Sequence, residues 1–173
     1  MRFFQGSLKY IQSIREMQSS LGQYTPLLRK DFILDPYQVL EARAYGADAL
    51  LLIVAALDDQ TLHDLLEYTY ALGMHALVEV HNQQELGRAI AAGATIIGVN
   101  NRNLHSFETS LTTTQLVAQQ LPTHNRPILV SESGIFTSEH VAQLRSWGAD
   151  AILVGEALVT APNIAERVRE LSS

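Results

Sequence analysis

Two charged residues set into otherwise apolar runs are the first groups in this sequence that could do chemistry. Lys30 closes the run Leu27–Phe32 and Glu79 interrupts the run Ala76–His81. An unpaired charge in such a setting is costly, so each needs a partner or a purpose. One reading is a mutual structural ion pair. The other is an acid/base couple, its proton affinities set by desolvation and by neighbouring charges. The two readings are compatible. Other runs also end in polar groups: Asn100-Asn101-Arg102-Asn103, Ser131-Glu132-Ser133-Gly134 and Gly155-Glu156. Asn100 and Arg102 are fixed hydrogen-bond forks, suited to a polyol or a carboxylate, or equally to a satisfied loop network. Ser133-Gly134 and Gly155-Glu156 each precede a helical segment. Backbone N–H groups at such turns hold phosphate without a basic side chain, although ordinary strand-to-helix turns look the same. Paired on the last two runs, they favour phosphate.

Something must bring these groups together. Six short runs recur: Leu27–Phe32, Ala49–Ala55, Ala76–His81, Thr95–Asn100, Ile128–Ser133 and Ala151–Glu156. Most are apolar on both alternating faces, as parallel strands covered on both sides are. Helical periodicity fills the intervals, with Leu62, Leu65, Leu66 and Thr69 on one stripe. Asp35-Pro36 reads as an N-cap followed by a proline in the first turn, and Asn82 with Glu85 is close to a capping box. Gly46, Gly93 and Gly148 fall where helix C-caps belong.

Those glycines mark a repeat. Gly46-Ala47-Asp48-Ala49-Leu50-Leu51 returns as Gly148-Ala149-Asp150-Ala151-Ile152-Leu153, with Gly93-Ala94-Thr95 a weaker copy. Repeated helix–glycine–strand units predict a parallel βα series, either an open doubly wound sheet or a barrel. No Gly-x-Gly-x-x-Gly or Walker-type loop follows a strand, which favours the barrel. A full eight-unit barrel takes about 250 residues, whereas this chain offers six strands in 173 residues. The expectation is an α/β chain of the TIM-barrel class, one partial domain spanning residues 1–173, with the first two strands absent. Phe3 to Ser7 would be a loop feeding a helix over Leu8–Met17. Two open apolar edges, at the first and last runs, would then promote self-association.

Composition narrows the function. Hydrophobic residues make up 47% and charged residues 17%, a globular balance. The formal charge is −6 with no long basic run, which argues against nucleic-acid or anionic-membrane partners. No cysteine is present, so thiolate metal sites and disulfides are excluded and a reducing, cytoplasmic setting is expected. The start of the chain lacks the pattern of a signal peptide, and the nine-residue run Ala49–Leu57 is too short to span a bilayer. Six histidines, His63, His75, His81, His105, His124 and His140, show no metal-binding spacing. Trp147 reads as a packing residue.

Taken in order, Phe4-Gln5-Gly6-Ser7, Pro26-Leu27-Leu28-Arg29-Lys30-Asp31-Phe32, Asp35-Pro36-Tyr37-Gln38, Leu77-Val78-Glu79-Val80-His81, Gly98-Val99-Asn100-Asn101-Arg102-Asn103-Leu104 and Ser131-Glu132-Ser133-Gly134-Ile135 resemble the successive signatures of indole-3-glycerol-phosphate synthases. The resemblance runs from about Phe3 to the last helix. It implies a lyase of tryptophan biosynthesis that cyclises 1-(2-carboxyphenylamino)-1-deoxyribulose 5-phosphate with loss of carbon dioxide and water, and it implies no cofactor. By the same resemblance Lys30 is a general acid at the ribulose oxygen and Glu79 a general base in rearomatisation. Asn100, Arg102 and Glu132 bind the substrate or position that couple. Ser133, Gly134, Gly155 and Glu156 mark the phosphate turns, and Phe32 and Leu104 line the aromatic pocket. Relatives carry an earlier strand with a further glutamate and lysine, which has no counterpart here. Two alternatives stand beside this reading. One is a phosphate-binding fragment without turnover. The other is a different phosphate-binding barrel such as phosphoribosylanthranilate isomerase, which lacks the Leu-Arg-Lys-Asp-Phe and Glu-Val-His pair.

Overall fold

The computed structural model describes residues 6–103 and 106–172. Six strands lie in one parallel sheet in sequence order: β1 (Leu28–Arg29), β2 (Ala49–Ile53), β3 (His75–Val80), β4 (Ile96–Asn100), β5 (Ile128–Glu132) and β6 (Ala151–Leu153). Helices follow each of them, as a parallel series requires. They are α1 (Leu8–Ser20) ahead of β1, then α2 (Pro36–Ala44), α3 (Asp59–Ala71), α4 (Gln83–Ala91), α5 (Thr112–Ala118), α6 (Ser138–Ser146), α7 (Glu156–Val159) and α8 (Ile164–Leu171). All six expected strands are present, in a curled partial barrel.

Period-2 alternation divides the strands between two faces. Leu50, Leu52, Val78, Val80, Ile97, Val99 and Leu129 pack outward against helix residues such as Val39, Leu62, Leu65 and Leu86, forming the main core. Leu51, Ile53 and Leu77 point the other way, into a smaller interior cluster with Leu28, Ile96, Val130 and Leu153. The residues that continue this inner row toward the C-terminal ends are Lys30, Glu79, Asn100 and Glu132. Apolar below and polar above, the inner face places its chemistry at one rim.

The expected caps are in place. Asp35 caps α2 in a full capping box with Gln38, Asn82 caps α4 by accepting from Glu85 N, and Gly148, at φ 95°, directly follows Trp147 at the end of α6. β1 is shorter than the run Leu27–Phe32 suggested. Gln38 explains this: its side chain donates to Phe32 O at 2.9 Å and accepts from Leu34 N and Asp35 N at 2.7 and 3.1 Å. The chain is thus drawn out of the sheet toward α2. The run Ala49–Ala55 likewise ends early, in a 3-10 turn at Val54–Ala56. The last run, Ala151–Glu156, gives way to α7 at Glu156.

The repeat has a mechanical meaning. Gly46 and Gly148, at φ 90° and 95°, take the left-handed conformation that ends a helix. Two residues on, Asp48 accepts from Leu27 N at 2.6 Å and Asp150 accepts from Leu129 N at 2.8 Å. Each aspartate is paired with an arginine that also donates to the glycine carbonyl, Arg15 at Asp48 and Gly46, Arg126 at Asp150 and Gly148. Each copy therefore ties the base of its own strand to that of a neighbour. The weaker copy replaces this pair with Thr95 Oγ1 and Tyr70 Oη, 3.1 Å apart. All three lie at the N-terminal rim, away from Lys30 and Glu79. Among the described residues β1 and β6 pair on one side only, and no helix is long and apolar enough to cross a membrane.

Candidate active site

A cavity of about 400 Å³ opens at the C-terminal rim. Its walls include Lys30, Phe32, Glu79, Asn100, Arg102, Glu132, Ser133, Gly134, Gly155 and Glu156. Every residue singled out from the sequence is there except Leu104, which lies outside the described residues. Ile53, from the wholly apolar β2, adds an apolar wall. A groove of similar size, about 440 Å³, runs along β6 and α8 and contains none of these groups.

Register explains the convergence. Glu79 on β3 lies opposite Gly98 on β4, and Asn100 lies opposite Glu132 on β5. Lys30, just beyond β1, reaches across so that its Nζ stands 3.9 Å from Glu79 Oε2 and 3.9 Å from Glu132 Oε2. The two carboxylates are 2% exposed, whereas the lysine is 40% exposed. Lys30 is therefore an ammonium at the mouth rather than a charge buried in a strand. It answers to two carboxylates, not to Glu79 alone.

The two carboxyl groups are pushed in opposite directions. Burial and then the negative charge of Glu79 push Glu132 up to about 8. Burial also raises Glu79, but His81, Lys30 and Asn100 together outweigh it and hold Glu79 below the usual carboxylate range. His81 lies 3.2 Å from Glu79 Oε1 and 3.0 Å from Glu85 Oε2. Burial would lower the imidazole, yet its two carboxylate neighbours lift it to about 9. At neutral pH the site thus holds one ionised carboxylate beside one protonated carboxyl group. Environments that separate paired groups in this way create an acid and a base from the same residue type. Both roles are present in one cavity.

The rim loops are held by buried polar contacts. Asn101 donates to Ser131 Oγ at 2.9 Å and to Ser133 O at 3.1 Å, and accepts from Thr114 Oγ1 at 2.9 Å. This network pins the turn in which Ser133 and Gly134 have φ values of 67° and 75°. A serine in that region is strained unless its surroundings fix it. Arg102 pairs with Glu156 at 2.8 Å, linking the loop after β4 to the start of α7. Among the described residues no side chain caps α7 at Gly155, and Gly155, Glu156 and Ala157 at its start line the cavity. Among the described residues no group of three or more histidines, aspartates or glutamates could hold a metal ion.

Sequence reasoning missed four contributors. Gly98 was read as part of a motif, but a glycine inside a strand signals close approach of another group, here Glu132. His81 counts in the sequence only as one of six histidines without metal-binding spacing. Glu85 had counted only as a helix cap, and Asn101 as a loop residue. The signal for His81 and Glu85 was their i, i+4 spacing across the start of α4.

Comparison with known proteins gives the family. A model of the indole-3-glycerol phosphate synthase family matches residues 1–171. Proteins named indole-3-glycerol phosphate synthase from Roseiflexus sp. (strain RS-1) and Roseiflexus castenholzii (strain DSM 13941 / HLO8) are 71% and 68% identical over 171 residues. Each alignment covers 98% of this chain and 64% of the relative, so the chain spans somewhat less than two-thirds of the length of the relatives it matches. Among solved structures, a 3-hexulose-6-phosphate synthase superposes with a TM-score of 0.73 at 16% identity, covering 95% of this chain and 78% of the other. That likeness is one of fold. The family match and the high identity leave one assignment: the chain belongs to the indole-3-glycerol phosphate synthase family.

Proposed function

We propose that this site carries out the ring closure of 1-(2-carboxyphenylamino)-1-deoxyribulose 5-phosphate to indole-3-glycerol phosphate, with loss of carbon dioxide and water. The observation that carries the reading is the convergence of Lys30 on both Glu79 and Glu132 at 3.9 Å inside one cavity. Lys30 delivers a proton to the ribulose oxygen that departs as water. Glu79, ionised, removes the ring proton as aromaticity is restored. Glu132 keeps its proton at neutral pH and hydrogen-bonds the substrate beside them. Asn100 and Arg102 orient the chain of hydroxyls, and Phe32 faces the anthranilate ring. The turns at Ser133-Gly134 and Gly155-Glu156 take the phosphate through their amides. Proton delivery and removal from fixed groups are each worth roughly 10²–10⁴-fold in rate.

Turnover followed by indole fluorescence tests this. Lys30→Met and Glu79→Gln should each lower kcat by about 10²–10⁴-fold while the fold is retained. Binding of inorganic phosphate without any turnover by the unaltered protein would instead favour a phosphate-binding fragment. Turnover of phosphoribosylanthranilate alone would favour an isomerase.

Two coarser proposals accompany it. Absence of cysteine and the small-molecule chemistry suit the cytoplasm. The one-sided edges of β1 and β6 suit self-association with a second copy of the chain; light scattering that returns a monomer at high concentration would rule this out.

A further inference from the structure

We propose that His81, held by Glu85, is a positioning residue that aims Glu79 at the cavity as its proton acceptor, an inference that rests on the proton-transfer reading above. The imidazole has a carboxylate at each nitrogen, Glu85 Oε2 at 3.0 Å from Nδ1 and Glu79 Oε1 at 3.2 Å from Nε2. Glu85 cannot swing away. Its Oε2 also accepts from His81 N at 2.8 Å, its Oε1 accepts from Asn82 Nδ2 at 2.9 Å, and its own N–H donates to Asn82 Oδ1 at 2.9 Å. The cap of α4 therefore doubles as the anchor of the histidine.

The contacts on Glu79 are lopsided. His81 and Asn100 both address Oε1, the latter donating at 3.2 Å. Oε2 is buried without a hydrogen-bond partner and faces Lys30. Asn100 holds Oε1 by a hydrogen bond and the imidazole stands behind it at ion-pair distance, its Nε2 making no hydrogen bond among the described residues, while Oε2 faces the cavity mouth. His81 itself does not line the cavity that holds Lys30 and Glu132. It lines a separate polar pocket of about 390 Å³ with Glu85, Asn103 and Glu108. It meets Glu79 from outside the substrate space, so it acts through Glu79 rather than on substrate. The charged groups facing Glu79 are Lys30 after β1, His81 after β3 and Glu132 on β5. Those facing His81 are Glu79 and Glu85. His81 and Asn100 offset the burial of Glu79 from the Oε1 side, while Lys30 does so from the mouth of the cavity.

The test uses the intact protein with His81→Asn and, as a milder change, Glu85→Gln. The Glu79 carboxyl is followed by carbon-13 NMR titration, and kcat and KM are measured across pH. Both variants should move the Glu79 titration and the acidic limb of kcat upward by about one pH unit. On the acidic limb, at pH values well below the folded value of Glu79 in the parent, that shift is about a tenfold loss of kcat, recovered at higher pH, with KM within about twofold. If the titration and the acidic limb stay where they are in the unaltered protein, the positioning role is wrong, whatever happens to stability. The NMR arm needs no turnover. An inactive protein whose Glu79 titration still shifts would sink the proposed reaction and keep the positioning role. Should His81→Asn fail to fold, Glu85→Gln gives the same two readouts.

Discussion

Glu132 fills the space that a side chain on Gly98 would need. A Cβ at Gly98 would stand 2.0 Å from Glu132 Oε1 and 3.1 Å from Leu77 Cδ1. Glycine is required here for room, since β4 is ordinary extended strand. Glu132 is itself 2% exposed, so its carboxyl has little open space to retreat into. Gly98→Ala should therefore destabilise the protein by about 1–3 kcal/mol through overpacking. It should also lower turnover by on the order of 10²-fold, because displacing a fixed polar group by about 1 Å is that costly. Urea unfolding and a turnover assay read the two effects. An alanine variant that matches the parent in both would mean that the inner row is looser than described.

Opposed shifts in one cavity give stability a distinctive pH dependence. Glu132, held at about 8 by burial and by Glu79, is a weaker acid folded than unfolded, where its value is 4.5. Its contribution is best below 4.5 and worsens as pH rises through 8. His81, lifted to about 9 from 6.5, contributes stability that is complete below 6.5 and lost as pH rises through 9. Both trends point the same way. Glu79, held below 4.5, contributes above that value and loses the contribution as pH falls through its folded value. The melting temperature should thus peak in mildly acidic solution and fall by several degrees toward about pH 9.5. Calorimetry on Glu132→Gln should give a flatter alkaline side. An unchanged slope in that variant would remove Glu132 from the account.

The fold was legible in the sequence because its signals were redundant. Apolar runs, C-cap glycines and the Gly-Ala-Asp repeat all mark the same boundaries, and each strand was located to within a few residues. The early end of β1 was not legible because it is set by Gln38, nine residues after Arg29 and in the next helix, a tertiary contact with no local pattern. For the site, the charges in apolar runs exposed Lys30 and Glu79, and strand-end polarity exposed Asn100, Glu132 and the turns. What no spacing could reveal was the sharing of Lys30 between two carboxylates, which depends on sheet register. Nor could it reveal that His81 reaches Glu79 from behind. The sequence separates Gly98 from Glu132 by a helix and two loops, so their mutual exclusion appears only when β4 and β5 pair.

Arg102 and Glu156 bridge two rim loops with an ion pair of 2.8 Å, their side chains 43% and 56% exposed. Exposed pairs of this kind are worth about 0–1 kcal/mol, so the fold does not depend on it. Under the proposed function, a guanidinium at the cavity wall acts instead on the anionic substrate. Arg102→Ala should raise KM about tenfold or more while changing unfolding free energy by less than about 1 kcal/mol. A large stability loss with unchanged KM would recast Arg102 as a loop clamp.

The N-terminal rim should respond in the opposite sense. Asp48 and Asp150 each accept a backbone N–H from the neighbouring strand and an arginine, and both carboxyls are held below the usual aspartate range. Burial opposes that shift in each. At Asp48 the Tyr24 hydroxyl and Leu27 N–H overcome it, and at Asp150 the Leu129 N–H and Arg126 do. Removing the carboxylate leaves a strand-base amide and a guanidinium without their acceptor, a loss of about 1–3 kcal/mol. Asp48→Ala should thus lower the unfolding free energy by about that amount while kcat and KM at moderate temperature stay near those of the parent. Lys30, Glu79 and Glu132 sit at the other ends of the strands, one apolar layer away, and that layer of Leu51, Ile53 and Leu77 insulates them. A drop in kcat without loss of stability would show that the two rims are coupled through the sheet.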